Sequence, residues 1–189
     1  MNSKIKSGFT FLELLVSIGV IGFVLPALFA VIFIIFQQES KLLRLTEVKR
    51  QGDTLLTSME NTIRNNTTNI YSDPGLADIN EICGISTTGL SGPYFQMYFK
   101  DKNSQMFGYT LSTGSIASVS ANPNINLTSS KVLIDSFNIS CSRQSRYSTP
   151  SITINFHICY ITTAASCIST RPEDKADLTY QTQIGLTNY

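Results

Sequence analysis

The chain has 189 residues, 42% of them hydrophobic and only 14% charged, with no Trp and a formal net charge of +1. That length suits one medium domain plus an anchor. With near-neutral charge, no Lys/Arg run and no glycine-rich phosphate cradle, extended nucleic-acid binding is not indicated.

In chain order, the opening "MNSKIKSG" carries Lys4 and Lys6, and from Leu14 to Phe36 no residue is charged. As a helix that run spans roughly 35 Å, enough to cross a hydrocarbon core of about 30 Å. The two lysines predict a cytoplasmic leader, so the chain beyond Phe36 is expected outside the cytoplasm. No A-x-A-like site closes the apolar run before "FIIFQQESK", so the helix is expected to stay attached. One residue at its start does not fit an ordinary anchor. A carboxylate at the centre of a membrane helix costs roughly 2.5–3.5 kcal/mol, and Glu13 stands among Phe11, Leu12, Leu14 and Leu15.

The stretch Lys6-Ser7-Gly8-Phe9-Thr10-Phe11-Leu12-Glu13-Leu14-Leu15-Val16 resembles the class III signal of type IV pilins and type II secretion pseudopilins. The resemblance implies that a prepilin peptidase cuts after Gly8, that the new amino terminus at Phe9 is methylated, and that Glu13 is an assembly residue. An N-methylated amine stays cationic, and inside the apolar layer it and the Glu13 carboxylate each need an opposite charge. Side-by-side subunits would let Glu13 meet the amine of a neighbour and so set the axial stagger. Pilins often carry a proline where this chain has Ala30. Its only anchor proline is Pro26, beside which a local bend or melted turn is expected, loosened further by Gly19 and Gly22.

Beyond the anchor, Leu42, Leu45, Val48, Leu55, Leu56, Met59 and Ile63 recur at helical spacing, with Lys41, Arg44, Lys49, Asp53, Glu60 and Arg64 on other faces. This predicts an amphipathic continuation whose stripe packs on a sheet. Gly52, on or near the stripe, costs about 1 kcal/mol relative to Ala. Fraying is expected at Asn65–Asn69, with the "SDPG" turn, Ser72–Gly75, closing the helix.

The remainder reads as strands over Tyr94–Lys100, Met106–Leu111, Val132–Cys141, Ser151–Tyr160 and Asp177–Leu186. Residues 112–130, rich in Ser, Thr and Asn, read as an exposed loop region or weak hairpin. The fold class is α+β, and it resembles pilins: a long N-terminal helix, membrane-spanning in its first half, packed on an antiparallel β-sheet head. The expected division is 1–8 leader, 9–36 transmembrane and filament-core helix, 37–70 amphipathic continuation, and 71–189 β-rich head. Length and the ending "LTYQTQIGLTNY" resemble the J-type pseudopilin and W-type minor pilin among such subunits.

Four cysteines, Cys83, Cys141, Cys159 and Cys167, lie after the anchor, on the side where disulfides persist. Of the three possible pairings, a short loop favours Cys159–Cys167, which leaves Cys83–Cys141. Zinc is the rival reading, but there is no C-x-x-C pair, and the sole histidine, His157, shows no paired ligand in the sequence. Asp73 and Asp78 near Pro74 could suggest calcium but read as turn residues. Neither a metal nor another cofactor is expected. No nucleophile elbow, zinc-protease helix or phosphate loop is present, so an enzyme is not expected.

The sequence thus points to a structural minor pilin or pseudopilin of a motility, competence or secretion filament. Its partners would be prepilin peptidase, other pilin subunits and the inner membrane. It would sit in that membrane as a single pass with an extracytoplasmic head before entering the filament. The alternatives are an adhesion or DNA-binding module displayed on a pilus, and, from a third class, a membrane-anchored periplasmic enzyme.

Overall fold

The computed structural model describes residues 10–75, 81–85, 89–120, 125–161, 167 and 175–187. The chain divides into two compact units, Met1–Ser40 and Lys41–Tyr189. Helix α1 runs Phe11–Asn66, 56 residues. In the first unit every residue from Phe11 to Phe36 is exposed, because the run is apolar on all sides and has no core to enter. The turn beside Pro26 is not melted, and α-helical structure continues through it. The missing N–H removes the intrahelical donor for the Gly22 carbonyl alone, and the ladder resumes on either side.

In the second unit α1 is one-sided. Its buried residues are Val48, Gly52, Leu55, Met59 and Ile63, each three or four positions from the last, with Leu45 and Leu56 half-buried beside them. Leu42, expected on this stripe, is exposed together with Leu43. Periodicity specifies a face; how far along it the packing partner extends is decided by the sheets.

Among the described residues nine strands come after the helix: β1 (Asn69–Tyr71), β2 (Gly89–Tyr94), β3 (Gln96–Lys100), β4 (Met106–Ser112), β5 (Ser115–Ser120), β6 (Ile125–Asn126), β7 (Val132–Arg143), β8 (Ser151–Tyr160) and β9 (Asp177–Gly185). They form two antiparallel sheets, a five-stranded one ordered β1-β3-β4-β5-β6 and a four-stranded one ordered β2-β7-β8-β9. The fold is therefore α+β, a helix with an antiparallel head. The helix stripe shares one core with Ile70, Met97, Phe99 and Ile116 of the first sheet and Phe137, Ile139, Ile154, Phe156 and Ile184 of the second.

One expectation is corrected here, and one pair of alternatives is decided. The "SDPG" turn does not close the helix: α1 ends at Asn66 and β1 intervenes, its Asn69–Tyr71 paired with Tyr98–Lys100. For residues 112–130 the hairpin alternative holds over the described part, which pairs as strands and not as an exposed loop. Thr113 (φ 46°) and Gly114 (φ 76°) make a two-residue turn with both φ positive, which matches strand twist and joins β4 to β5 as a tight hairpin. Ile116 and Ala117 are buried in it, so a polar composition hid a core strand.

Gly52 has a specific use. A methyl group there would overlap the Tyr180 ring, which lies against the helix backbone and stacks on Phe156 with centroids 5.0 Å apart. The Tyr180 hydroxyl hydrogen is shared between Asp53 Oδ1 at 2.9 Å and the Lys49 carbonyl at 3.1 Å. Burial, then the hydrogen bond and charge of Asp53, push the Tyr180 pKa up to about 12. This contact joins helix to last strand across 127 residues of sequence.

Gly52→Ala gains about 1 kcal/mol of helix propensity but displaces a hydrogen bond to a charged group worth about 1.5–3 kcal/mol. Denaturant unfolding should therefore show a net loss of about 1 kcal/mol. In a Tyr180→Ala background the same substitution should instead stabilise, since only the propensity gain remains. Stabilisation by Gly52→Ala in the otherwise unaltered chain would contradict this assignment.

Candidate functional site

Among the described residues, functional groups gather at two places, the start of α1 and the outer face of the four-stranded sheet. Gly8 and Phe9, the residues of the expected cleavage junction, lie outside the described residues. Thr10 and Glu13 are described. Thr10 donates its N–H and its hydroxyl to Glu13 Oε2 at 3.0 and 3.1 Å, and Glu13 returns its N–H to Thr10 Oγ1 at 3.3 Å. This reciprocal pair is a capping box, which satisfies backbone donors that a helix start leaves open. The T-x-x-E spacing that signals it is visible in the sequence. It gives Glu13 a role within its own chain beside the intermolecular one the resemblance implies. A carboxylate offers about four lone-pair sites, so capping leaves capacity for a cation. Glu13 is also exposed.

The cysteines pair as Cys83–Cys141 and Cys159–Cys167, with Cα atoms 6.3 and 5.5 Å apart. The first bridge has a neighbour that composition did not flag. Arg143 is buried, and it donates to the carbonyls of Cys83 at 3.2 Å, Ser145 at 3.2 Å and Arg146 at 3.0 Å. It thereby joins the segment before β2 to the turn after β7. Near Pro74, Asp73 Oδ1 accepts the Gly75 N–H at 2.6 Å, as a turn residue does. Asp78 lies outside the described residues.

His157 is not without partners. It stands on the face of β8 opposite Phe156 and Ile158, with Nδ1 at 2.7 Å from Asp135 Oδ1 of β7 and Nε2 at 3.3 Å from Asp177 Oδ2 of β9. A β-bulge makes this possible. Ile134 pairs with Ile158 but Ser136 pairs with His157, so Asp135 is the extra residue, placed beside the histidine. The sequence carries the sign of it: inward apolar residues step from Ile134 to Phe137, three positions rather than two, across Asp135-Ser136. Reading β7 as an unbroken alternation conceals both the bulge and the carboxylate.

Burial works against a charge on His157, yet the hydrogen bonds and charges of Asp135 and Asp177 outweigh it and raise the histidine pKa. Cys167 Sγ lies in the same neighbourhood, within 4.8 Å of the Asp135 and His157 donor atoms. These are the described residues that bring metal-ligand chemistry together. As oxidised, the sulfur is committed to Cys159.

Comparison of the chain with protein-family models, curated proteins and solved structures finds no match in any of the three. Function must therefore be argued from the residues themselves.

Two outcomes are expected. Non-reducing peptide mapping should find the linked peptides of Cys83–Cys141 and Cys159–Cys167; a Cys141–Cys159 link would overturn the pairing. With sequence separations of 58 and 8, chain entropy assigns the longer loop about 4 kcal/mol and the shorter about 2.5 kcal/mol. Cys141→Ser should thus lower the unfolding midpoint more than Cys167→Ser.

The second outcome concerns pH. Because the folded pKa of His157 is raised, its stabilisation is fully present below the unfolded value near 6.5 and is lost as pH rises through the folded value. Unfolding of the unaltered chain and of His157→Gln should differ most near pH 5.5–6 and converge at alkaline pH. Asp135 is 42% exposed, so screening limits the difference to about 1 kcal/mol.

Proposed function

We propose that this chain is a structural minor pilin or pseudopilin, cut after Gly8 by prepilin peptidase and built into a type IV pilus, competence or type II secretion filament. The observation that carries this reading is the first part of α1. Among the described residues it is the one helix long and apolar enough to cross a membrane, none of that apolar run is buried, and a single capped carboxylate opens it. An apolar surface covered on no side needs lipid or other helices around it. A helix serving both in turn inserts first as a single-pass anchor and later packs laterally against its neighbours.

Glu13 supplies direction to that packing. A neighbour's Phe9 amine, cationic after cleavage and N-methylation, would be buried among apolar side chains unless a carboxylate meets it. Apolar packing alone leaves the axial offset of two helices nearly free; one charge pair selects one offset. The head then stands on the extracytoplasmic side of the inner membrane, where its disulfides are maintained.

Intact-mass measurement and terminal sequencing of membrane-extracted protein should give a chain starting at N-methyl-Phe9. Retention of residues 1–8 in cells with active prepilin peptidase would defeat the reading. Glu13→Gln keeps a side chain that can complete the capping box but removes the charge, whereas Glu13→Val removes both. Both should insert and be cleaved. Both should fail to enter sheared filaments or minor-subunit complexes, because an unpaired buried charge costs roughly 3–5 kcal/mol, more than a hundredfold in association. Normal incorporation of Glu13→Gln beside a defective Glu13→Val would assign the requirement to the cap instead of the charge.

A further inference from the structure

The outer face of the four-stranded sheet concentrates ligand chemistry that a filament subunit does not call for. His157 and Cys159 stand two residues apart on β8 and so share that face. The bulge in β7 sets Asp135 Oδ1 at 2.7 Å from His157 Nδ1. Cys167 Sγ, bonded to Cys159, lies within 4.8 Å of donor atoms of both Asp135 and His157. Asp177 accepts from the other ring nitrogen at 3.3 Å.

We infer that opening the Cys159–Cys167 bridge turns this cluster into a zinc(II) site, with the thiolates of Cys159 and Cys167, Nδ1 of His157 and the Asp135 carboxylate as ligands. Zinc takes sulfur, imidazole and carboxylate donors in a tetrahedron with bonds of about 2.0–2.3 Å, which sets its donors roughly 3.5 Å apart. Asp135, His157 and Cys167 already present ligand atoms within 4.8 Å of one another, and the Cys159 sulfur, once parted from Cys167, is the fourth that side-chain rotation must bring in. Asp177 would hold the Nε2–H, the carboxylate-to-histidine contact that fixes the tautomer and orientation of a metal-bound imidazole. The two sides of one ring are thus already divided between a ligand partner and an orienting partner.

The electron count is simple. A dithiol reductant gives two electrons and two protons; the Cys159–Cys167 bond breaks, each sulfur becomes a thiol, and the dithiol closes to its own disulfide. Zinc then displaces the two thiol protons and any proton on His157 Nδ1, which pass to solvent, while Nε2 keeps its hydrogen. In reverse, a disulfide oxidant takes two electrons from the thiolates, the bridge re-forms and the ion leaves. Before oxidation, the ion would hold Cys159 and Cys167 side by side and apart from Cys83 and Cys141. This inference does not rest on the filament reading.

The test uses the full-length chain in non-ionic detergent, reduced anaerobically with a phosphine that does not chelate metal, and titrated with Co²⁺ and then Zn²⁺. The reduced chain should show a sulfur-to-cobalt charge-transfer band and the visible spectrum of a tetrahedral ion, both removed by equimolar Zn²⁺; the oxidised chain should show neither. Asp177→Asn leaves every ligand in place and should weaken Zn²⁺ binding about 10–100-fold, while His157→Ala should weaken it at least as much. Circular dichroism of each variant in its oxidised form checks that the head is folded. No tetrahedral cobalt spectrum in the reduced chain would overturn the proposal. So would zinc affinities of His157→Ala and Asp177→Asn within about twofold of the unaltered chain, which would mean that thiols bind without this site.

Discussion

Burial of one helix stripe is the constraint on which the head depends. Val48, Gly52, Leu55, Met59 and Ile63 form the side of the core that neither sheet supplies for itself. Each sheet is antiparallel, with one face that must be removed from water, and the stripe lies among inward residues of both. Within that stripe the smallest residue has the most specific consequence. At Gly52 the absence of a side chain lets the Tyr180 ring reach the helix backbone, so the last strand is tied to the helix by stacking on Phe156 and by the bond to Asp53. A position that lowers helix propensity is thereby one that fixes how helix and sheet meet.

The other end of the same helix poses a charge problem, and the structure shows a local answer to part of it. Glu13 closes a capping box with Thr10, which offsets part of the cost of a carboxylate among apolar residues by satisfying helix-start donors. That local function would serve any helix. It does not by itself explain why an otherwise uncharged, fully exposed apolar run should begin with an acid when Ser or Thr alone can cap. On the filament function proposed above, a cationic amine from a second chain would answer that remaining question, and the capped geometry would hold the carboxylate at a defined height on the helix to receive it.

The outer face of the four-stranded sheet shows how a single irregularity creates a site. One extra residue in β7 places Asp135 beside His157, and three adjacent strands then contribute Asp135, His157 and Asp177 next to the Cys159–Cys167 bridge. In regular register β7 would pair without the extra carboxylate-bearing residue, and the histidine would have lost its closest partner. In the oxidised chain the two histidine contacts tie β7, β8 and β9 together laterally on this face.

What the amino-acid sequence determined by itself was whatever depends on neighbours along the chain. The apolar span, the helical stripe, the period-two strand Ser151–Tyr160 and the short-loop cysteine pair are all set by spacing within a few residues, and T-x-x-E belongs with them although composition drew attention to its charge first. Tertiary structure decided what depends on residues far apart. It divided the strands between two sheets, recruited the polar 115–120 stretch as β5 because Ile116 and Ala117 face a core, and left Leu42 exposed where no partner reaches. It turned Gly52 from a weak helix residue into a seat for Tyr180, and it gave His157 two carboxylates from strands 22 and 20 residues away. Local spacing can say which face a side chain takes; only the packing of distant strands says what stands opposite it.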